Sequence, residues 1–211
     1  MKFISVALLM MSTLLVAGDY PGDWWREVPR DQSNSWEVLP QDALKGEVIL
    51  SKRTELGIFS NLGESEFEFE GVFYKSVEGL WQKLKYPDPM DKKDPRHKFI
   101  YPYTRDEVSR LSMWESKKAG DMANKINKEN GIKFVSYRGK RFEYKDMSAG
   151  SQFHYKLIRG AMEAKVFQNE NIKELLLKTR GLILRADHKI GLNKPPAYKY
   201  FDIYMDIRSN L

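Results

Sequence analysis

Most residue constellations that carry familiar chemistry are missing from this 211-residue chain. It contains no cysteine, which excludes thiolate zinc sites, cysteine nucleophiles and disulfide bridges. Its three histidines, at positions 97, 154 and 188, form no HxxxH pair, and the sequence has no Gly-rich phosphate loop, GxSxG elbow or DxDxDG loop. Nothing in it requires a metal or a cofactor. Carboxylates, lysines and aromatic rings remain as candidate functional groups.

Glu78 is the carboxylate in the most suggestive position. It follows Ser76, which is suited to cap a helix, and lies in the first turn of the amphipathic helix predicted by the spacing of Val77, Leu80, Trp81 and Leu84. The helix dipole favours the ionised form of a carboxylate there, which suits a charge stabiliser or a base. A first-turn glutamate that serves only the helix terminus is the alternative interpretation.

Residues 133–145 interleave basic and aromatic side chains. A surface that binds nucleotides or nucleic acid needs this combination, because cations meet phosphate and rings stack on bases. A solvated loop that buries its rings and exposes its lysines has the same composition. Composition alone leaves both interpretations open.

The elements that must position these groups indicate an α+β fold, a mainly helical single domain around a small β-sheet. Strands are predicted at residues 48–50 and 182–184, with a hairpin at 66–74 in which Phe67 and Phe69 face the core and the glutamates face water. Helices are predicted over residues 152–167 and 172–179 and near the C-terminus. The aromatic content of 13% is sufficient for a sizeable core.

The middle of the chain contains a loop and two predicted helices. Four prolines among residues 86–103 favour a long surface loop. A capping box at residues 104–107 then starts a helix that is expected to end near Gly120, and a short second helix is predicted at residues 121–130.

Three segments are predicted along the chain. Residues 1–18 have the pattern of a signal peptide: Lys2, an apolar run too short for a comfortable membrane span, and small residues at the cleavage site. A buried helix and an uncleaved anchor are the alternatives. Residues 19–45 form a Trp/Pro-rich extension, whose tryptophans bind a ligand or pin the extension to the domain, and residues 46–211 form that domain. We expect a basic, periplasmic or secreted protein with no stable membrane anchor after cleavage.

Three longer strings, in order, resemble a known family. They comprise Gly57-Ile58-Phe59-Ser60-Asn61-Leu62, which is followed by the hairpin and by Ser76-Val77-Glu78, Trp81-Gln82 and Lys85; Ala164-Lys165 with Phe167-Gln168, Leu175-Leu176-Leu177 and Thr179; and Tyr204-Met205-Asp206-Ile207-Arg208. From about Glu47 to the end, the chain resembles the NADAR superfamily of YbiA-like N-glycosidases. The resemblance implies a YbiA-like fold and hydrolysis of an N-glycosidic bond at ribose C1.

The resemblance also implies roles for particular residues. Breaking a C1–N bond develops oxocarbenium charge, which a nearby carboxylate stabilises, and Glu78 and Asp187 match the family's acidic positions. The implied substrate-binding residues are Phe59, Ser60, Asn61, Trp81, Lys85, Lys165 and His188. Trp81 also has the spacing of a core residue. The family's histidine after the glutamate is Gly79 here, so another group is expected to approach the backbone closely, and the family's later tryptophan is absent beside Asp187.

The first functional hypothesis is an exported N-glycosidase. Its substrate would be a phosphorylated ribosyl or ADP-ribosyl compound, free or carried on a nucleic acid or another macromolecule. The second is a non-catalytic exported module that binds nucleotides, ADP-ribose or nucleic acid through its cations. A secreted structural protein that interacts through its Trp-rich extension is the third. The sequence does not predict an oligomeric state.

Overall fold

The computed structural model describes residues 20–191 and 193–211, so the predicted signal peptide lies outside the described residues. The α+β class and the mainly helical character are confirmed. The helices are α1 (Val77–Lys83), α2 (Arg105–Ser109), α3 (Met113–Glu129), α4 (Ala149–Gln168), α5 (Glu170–Lys178) and α6 (Tyr200–Ser209). The strands are β1 (Glu47–Ile49), β2 (Phe67–Phe69), β3 (Val72–Tyr74), β4 (Val135–Tyr137), β5 (Lys140–Phe142) and β6 (Ile183–Arg185).

The strands form three separate pairs in the described part of the chain, rather than the single small sheet predicted. Strand β1 pairs in parallel with β6, whereas β2–β3 and β4–β5 are antiparallel hairpins. Each strand has three residues. Such short strands gain little from pairing alone, so their stability comes from packing on the helices.

Helix α4 lies at the centre of the fold and contacts α1, α5, α6 and the first hairpin. That hairpin has the predicted orientation, with Phe67 buried, Phe69 half-buried and the three glutamates exposed. Fully burying a side chain such as Phe67 stabilises the fold by about 1.5–3 kcal/mol. The β4–β5 hairpin buries Tyr137 and Phe142 and exposes Lys140 and Arg141, which corresponds to the second interpretation of the basic–aromatic segment.

Helix α1 packs against the connection between α2 and α3 through its backbone. Ser76 caps the helix as predicted, because its hydroxyl accepts a hydrogen bond from the Gly79 amide at 2.9 Å. A Cβ atom at Gly79 would lie 2.7 Å from the Leu111 carbonyl oxygen. The close approach predicted at Gly79 is therefore made by the protein itself.

Two predictions for the middle of the chain are wrong. The first helix after the capping box ends at Ser109, and α3 then continues through Gly120 to Glu129. Gly120 does not end a helix; its missing side chain leaves the space that Gln82 occupies. Residues 86–103 are not a simple surface loop, because Asp94 and Arg96 are buried and satisfy each other.

The N-terminal extension is fixed to the domain by two of its tryptophans. Trp24 is fully buried and its indole nitrogen donates to Glu55 at 2.9 Å, while Trp25 donates to the Glu47 carbonyl at 2.9 Å. The extension therefore packs beside β1. Among residues 20–191 and 193–211, no helix is long and apolar enough to cross a membrane.

Candidate functional site

A cavity of about 790 Å³ brings most of the predicted site residues together. Its walls come from α1, α3 and α4, from the turn at residues 60–62, from the segment before α6 and from the N-terminal extension. Its volume lies in the range that holds a small organic ligand or nucleotide. Six of the nine predicted site residues line it, namely Ser60, Asn61, Glu78, Trp81, Lys85 and His188.

Glu78 is half-buried in the cavity wall. Its amide donates to the Asn61 carbonyl at 2.8 Å, and its carboxylate accepts a hydrogen bond from the side-chain amide of Gln82. Burial raises the pKa of Glu78, against the opposing effects of the Gln82 hydrogen bond and the Lys85 charge. This direction is opposite to the one that the helix dipole alone predicts. A carboxyl group with a raised pKa is suited to proton transfer near neutral pH.

Lys85 supplies the deepest positive charge on the cavity wall. It is 4% exposed, and burial lowers its pKa to about 8. Its ammonium lies 5.6 Å from the centre of the Trp81 ring, and no carboxylate of the described residues is within 4.0 Å of it. An unpaired cation in this position is suited to bind an anionic group of a ligand.

An aromatic cluster forms the wall beside Lys85. The imidazole of His154 stacks on Trp81 with ring centres 4.1 Å apart, and Tyr144 contacts Trp81 edge-on at 4.5 Å. Burial and the Lys85 charge lower the pKa of His154 to about 3, so this histidine is neutral. Trp81 lines the cavity as predicted, but His154 already covers one of its faces.

The second predicted acid, Asp187, is buried behind the cavity wall. Contrary to the prediction, it is not placed to act directly on a substrate in this cavity. Its carboxylate pairs with Lys52, accepts from His188 at 2.9 Å and contacts the Tyr200 hydroxyl at 3.4 Å. Burial raises the pKa of Asp187, but the bonds from His188 and Lys52 outweigh it, so the pKa stays below its usual range. Asp187 therefore holds Lys52, His188 and Tyr200 in place on the wall.

Phe59 and Lys165 also lie behind the wall, in contrast to the predicted contacts with substrate. Phe59 is fully buried and packs edge-on against Tyr204 at 4.9 Å. Lys165 is fully buried. Its ammonium donates to the carbonyl of Ile58 at 2.6 Å and, more weakly, to the carbonyl of Ser60 at 3.5 Å. Both side chains position the turn that presents Ser60 and Asn61 to the cavity.

Because its charge is buried without a carboxylate partner among residues 20–191 and 193–211, Lys165 is expected to make stability depend on pH. Burial lowers the pKa of Lys165 from about 10.5 to about 7. Between these values the unfolded chain binds more protons than the folded one, so this group makes stability rise with pH. From about pH 7 to about pH 9 the parent should gain roughly 2 kcal/mol of unfolding free energy relative to Lys165→Met, measured by urea denaturation. Lys156→Met, which changes an exposed lysine of the same helix, is the control and should follow the parent. A parallel pH dependence of parent and Lys165→Met would contradict the prediction.

The structure adds wall residues that sequence reasoning missed. They come from elements far apart in the chain, and include Trp36, Lys52, Trp114, Lys117, Asp121, Tyr144, His154, Lys189, Tyr198 and Tyr200. Lysines outnumber carboxylates on this wall, which favours an anionic ligand. Within the described ranges, no three histidine, aspartate or glutamate side chains converge as a metal-binding group.

No protein family profile and no curated protein sequence matches the chain. Among solved structures, the chain is similar to the NMR structure of the E. coli protein YbiA, with a TM-score of 0.49 and 17% sequence identity. The similarity covers 80% of this chain and 87% of that one.

Proposed function

We propose that this protein is an N-glycosidase that hydrolyses the ribose C1–N bond of an ADP-ribosylated or ribosyl-phosphate substrate. The observation that carries the proposal is the juxtaposition, on one cavity wall, of Glu78 with a raised pKa and of the unpaired, buried Lys85. The motif resemblance to the NADAR superfamily is consistent with it. A protein that only binds anions has no evident need for a half-buried carboxylate on the same wall as its cation.

In the proposed reaction, different wall residues transfer the proton, bind the phosphate and bind the sugar. A water oxygen bonds to C1 while the C1–N bond breaks, and the electron pair of that bond leaves with the nitrogen. Ionised Glu78 stabilises the positive charge that develops on the sugar and takes the water proton, which it then returns to the leaving nitrogen or to solvent. Lys85 holds a phosphate, and the half-buried amide of Asn61 is available to bind a sugar hydroxyl.

We also propose that the protein acts after export, on the strength of the signal-peptide pattern in residues 1–18. Its substrates would then be ADP-ribosylated molecules or other nucleotides outside the cytoplasm. The basic composition, with a formal net charge of +6, suits phosphorylated substrates, including those carried on a nucleic acid.

A substrate panel tests the activity. The purified protein is incubated with ADP-ribosylated guanosine, NAD and ribosyl-amine phosphates, and release of the sugar phosphate is followed by mass spectrometry. Release from one class establishes the N-glycosidase and identifies its leaving group. Binding of ADP-ribose without release from any compound would contradict the enzyme and favour the nucleotide-binding module.

A further inference from the structure

We propose that Trp36, in the N-terminal extension, forms a site for an aromatic ring at the mouth of the cavity. There it stacks on a nucleobase that is joined through phosphate to the reacting ribose. This inference rests on the proposed function and extends it, because it assigns part of the substrate to a segment outside the region that resembles the NADAR superfamily.

Trp36 differs from the other tryptophans of the extension. Trp24 is fully buried and Trp25 is partly buried, and both donate hydrogen bonds from their indole nitrogens. Trp36 is 43% exposed, lines the cavity, and makes neither a hydrogen bond through its indole nor a ring contact with another described residue. It therefore contributes little to fixing the extension, and its indole face is accessible to a ligand.

The turn that carries Trp36 is held firmly on both sides. The Glu37 amide donates to the Asn34 carbonyl at 3.0 Å, and the Glu37 carboxylate accepts two hydrogen bonds from Arg53, at 2.6 and 2.9 Å. The Val38 amide donates to the Asp187 carbonyl at 2.8 Å, so the turn is joined to the segment that carries His188. An exposed ring on an anchored turn is preorganised, which reduces the entropy lost when a ligand binds.

The surroundings of Trp36 fit a phosphorylated ligand with an aromatic ring. A second exposed tryptophan, Trp114 of α3, lines the same cavity and is 53% exposed. Lys117 and Lys189 add positive charge to the wall. Rings interleaved with cations bind nucleotides because every base has a face that stacks on an indole while its phosphates meet the lysines.

The rings next to Lys85 are already packed against each other, so we expect the nucleobase to bind at the mouth of the cavity. His154 already covers one face of Trp81, and Tyr144 packs against the edge of that ring. Glu78, Lys85 and Asn61 supply polar groups suited to a ribose and its phosphate. A base on the far side of a diphosphate would then extend toward the exposed tryptophans.

The test combines a shortened ligand with a substitution. Affinities of ADP-ribose and ribose 5-phosphate are measured by calorimetry for the parent, Trp36→Ala and Trp36→Phe. Trp36→Ala should weaken ADP-ribose binding roughly tenfold, within the range measured for base–aromatic stacking, and should leave ribose 5-phosphate binding within about twofold. Trp36→Phe should restore most of the loss. Phe73→Ala removes a ring that is also exposed but lies outside the cavity, and should change neither affinity.

The outcomes separate this inference from the proposed function. Equal weakening of both ligands by Trp36→Ala would indicate a structural role and overturn the inference. A parent that binds both ligands equally well, or a Trp36→Ala variant that keeps the parent's preference for ADP-ribose, would also overturn it while leaving the proposed enzyme intact. A parent that binds neither ligand would overturn both proposals.

Discussion

Replacing Glu78 with glutamine is expected to lower the rate of sugar release by about 10²- to 10⁴-fold, the range for loss of a general acid or base. Glutamine has nearly the same shape and keeps an oxygen that can accept the hydrogen bond from Gln82. It cannot take a proton from water or stabilise a positive sugar with a full charge. Binding of ADP-ribose should therefore persist while turnover is lost.

The pH profile distinguishes a base from an acid at the same position. Since burial raises the pKa of Glu78, a base at this site is ionised only above that raised value. Activity of the parent should then fall as pH decreases through the pKa of Glu78. If Glu78 instead donates a proton to the leaving group, activity should fall as pH increases through that pKa. Initial rates across the pH range decide between these roles.

Stability measurements show whether a loss of activity in Glu78→Gln comes from lost chemistry or from a less stable fold. A carboxyl group with a raised pKa binds more protons in the folded chain than in the unfolded one, so its contribution to stability is lost as pH rises through the raised pKa. Glu78→Gln should therefore be at least as stable as the parent at neutral pH, as measured by urea denaturation. Glu68→Gln, which changes an exposed carboxylate of the hairpin, is the activity control and should retain the parent rate. Undiminished turnover by Glu78→Gln would show that Glu78 does not carry the chemistry.

Local sequence patterns predict the elements that position the site, because neighbouring residues determine where these elements begin and which face they bury. The alternation at residues 66–70 predicted the first hairpin, and Ser76 marked the start of α1. Both signals depend on side-chain periodicity and capping, which the neighbouring residues determine. Glu78 could therefore be placed on the first turn of a helix before the tertiary fold was known.

The missed residues depend on contacts between distant parts of the chain. The motif resemblance predicts that Lys165 binds substrate, but its actual partner is the carbonyl of Ile58, 107 positions earlier in the sequence. Trp36, Trp114 and His154 reach one cavity from three separate elements, and no sequence spacing links them. Gly120 has the local signature of a helix stop, yet its role is to accommodate Gln82. At Gly120, tertiary packing overrode local propensity.

The buried pair of Arg96 and Asp94 explains why the charged, proline-rich segment 86–103 is not the simple surface loop that its composition predicts. The guanidinium of Arg96 donates to both oxygens of Asp94, at 2.7 to 3.0 Å, and to the Leu84 carbonyl at 2.8 Å. Arg105 pairs with Asp88 at 3.3 Å and donates to the Ser136 carbonyl at 2.6 Å. These mutual contacts satisfy charges that would otherwise require water, which a composition count cannot reveal.

This network also supports the site, because Leu84 caps α1 and directly precedes Lys85. Arg96→Met is expected to lower the free energy of unfolding by about 3–5 kcal/mol, since it leaves the Asp94 carboxylate buried without its cation. The Arg96 and Asp88 amides would still donate to the Asp94 carboxylate, but the Leu84 carbonyl would lose its closest side-chain donor. Urea denaturation measures the effect.

The chain offers a closely matched control for this variant. Arg141 lies over the same ring, Phe134, at 4.9 Å, compared with 4.8 Å for Arg96, and pairs with Asp91 of the same loop at 2.5 Å. Its side chain is 37% exposed, whereas that of Arg96 is fully buried. Arg141→Met should therefore cost only about 0–1 kcal/mol. Adding Asp94→Asn to Arg96→Met should recover part of the loss, because the unpaired charge is then removed. Equal costs for the two arginine variants would show that burial of the Arg96–Asp94 pair is not what stabilises this loop.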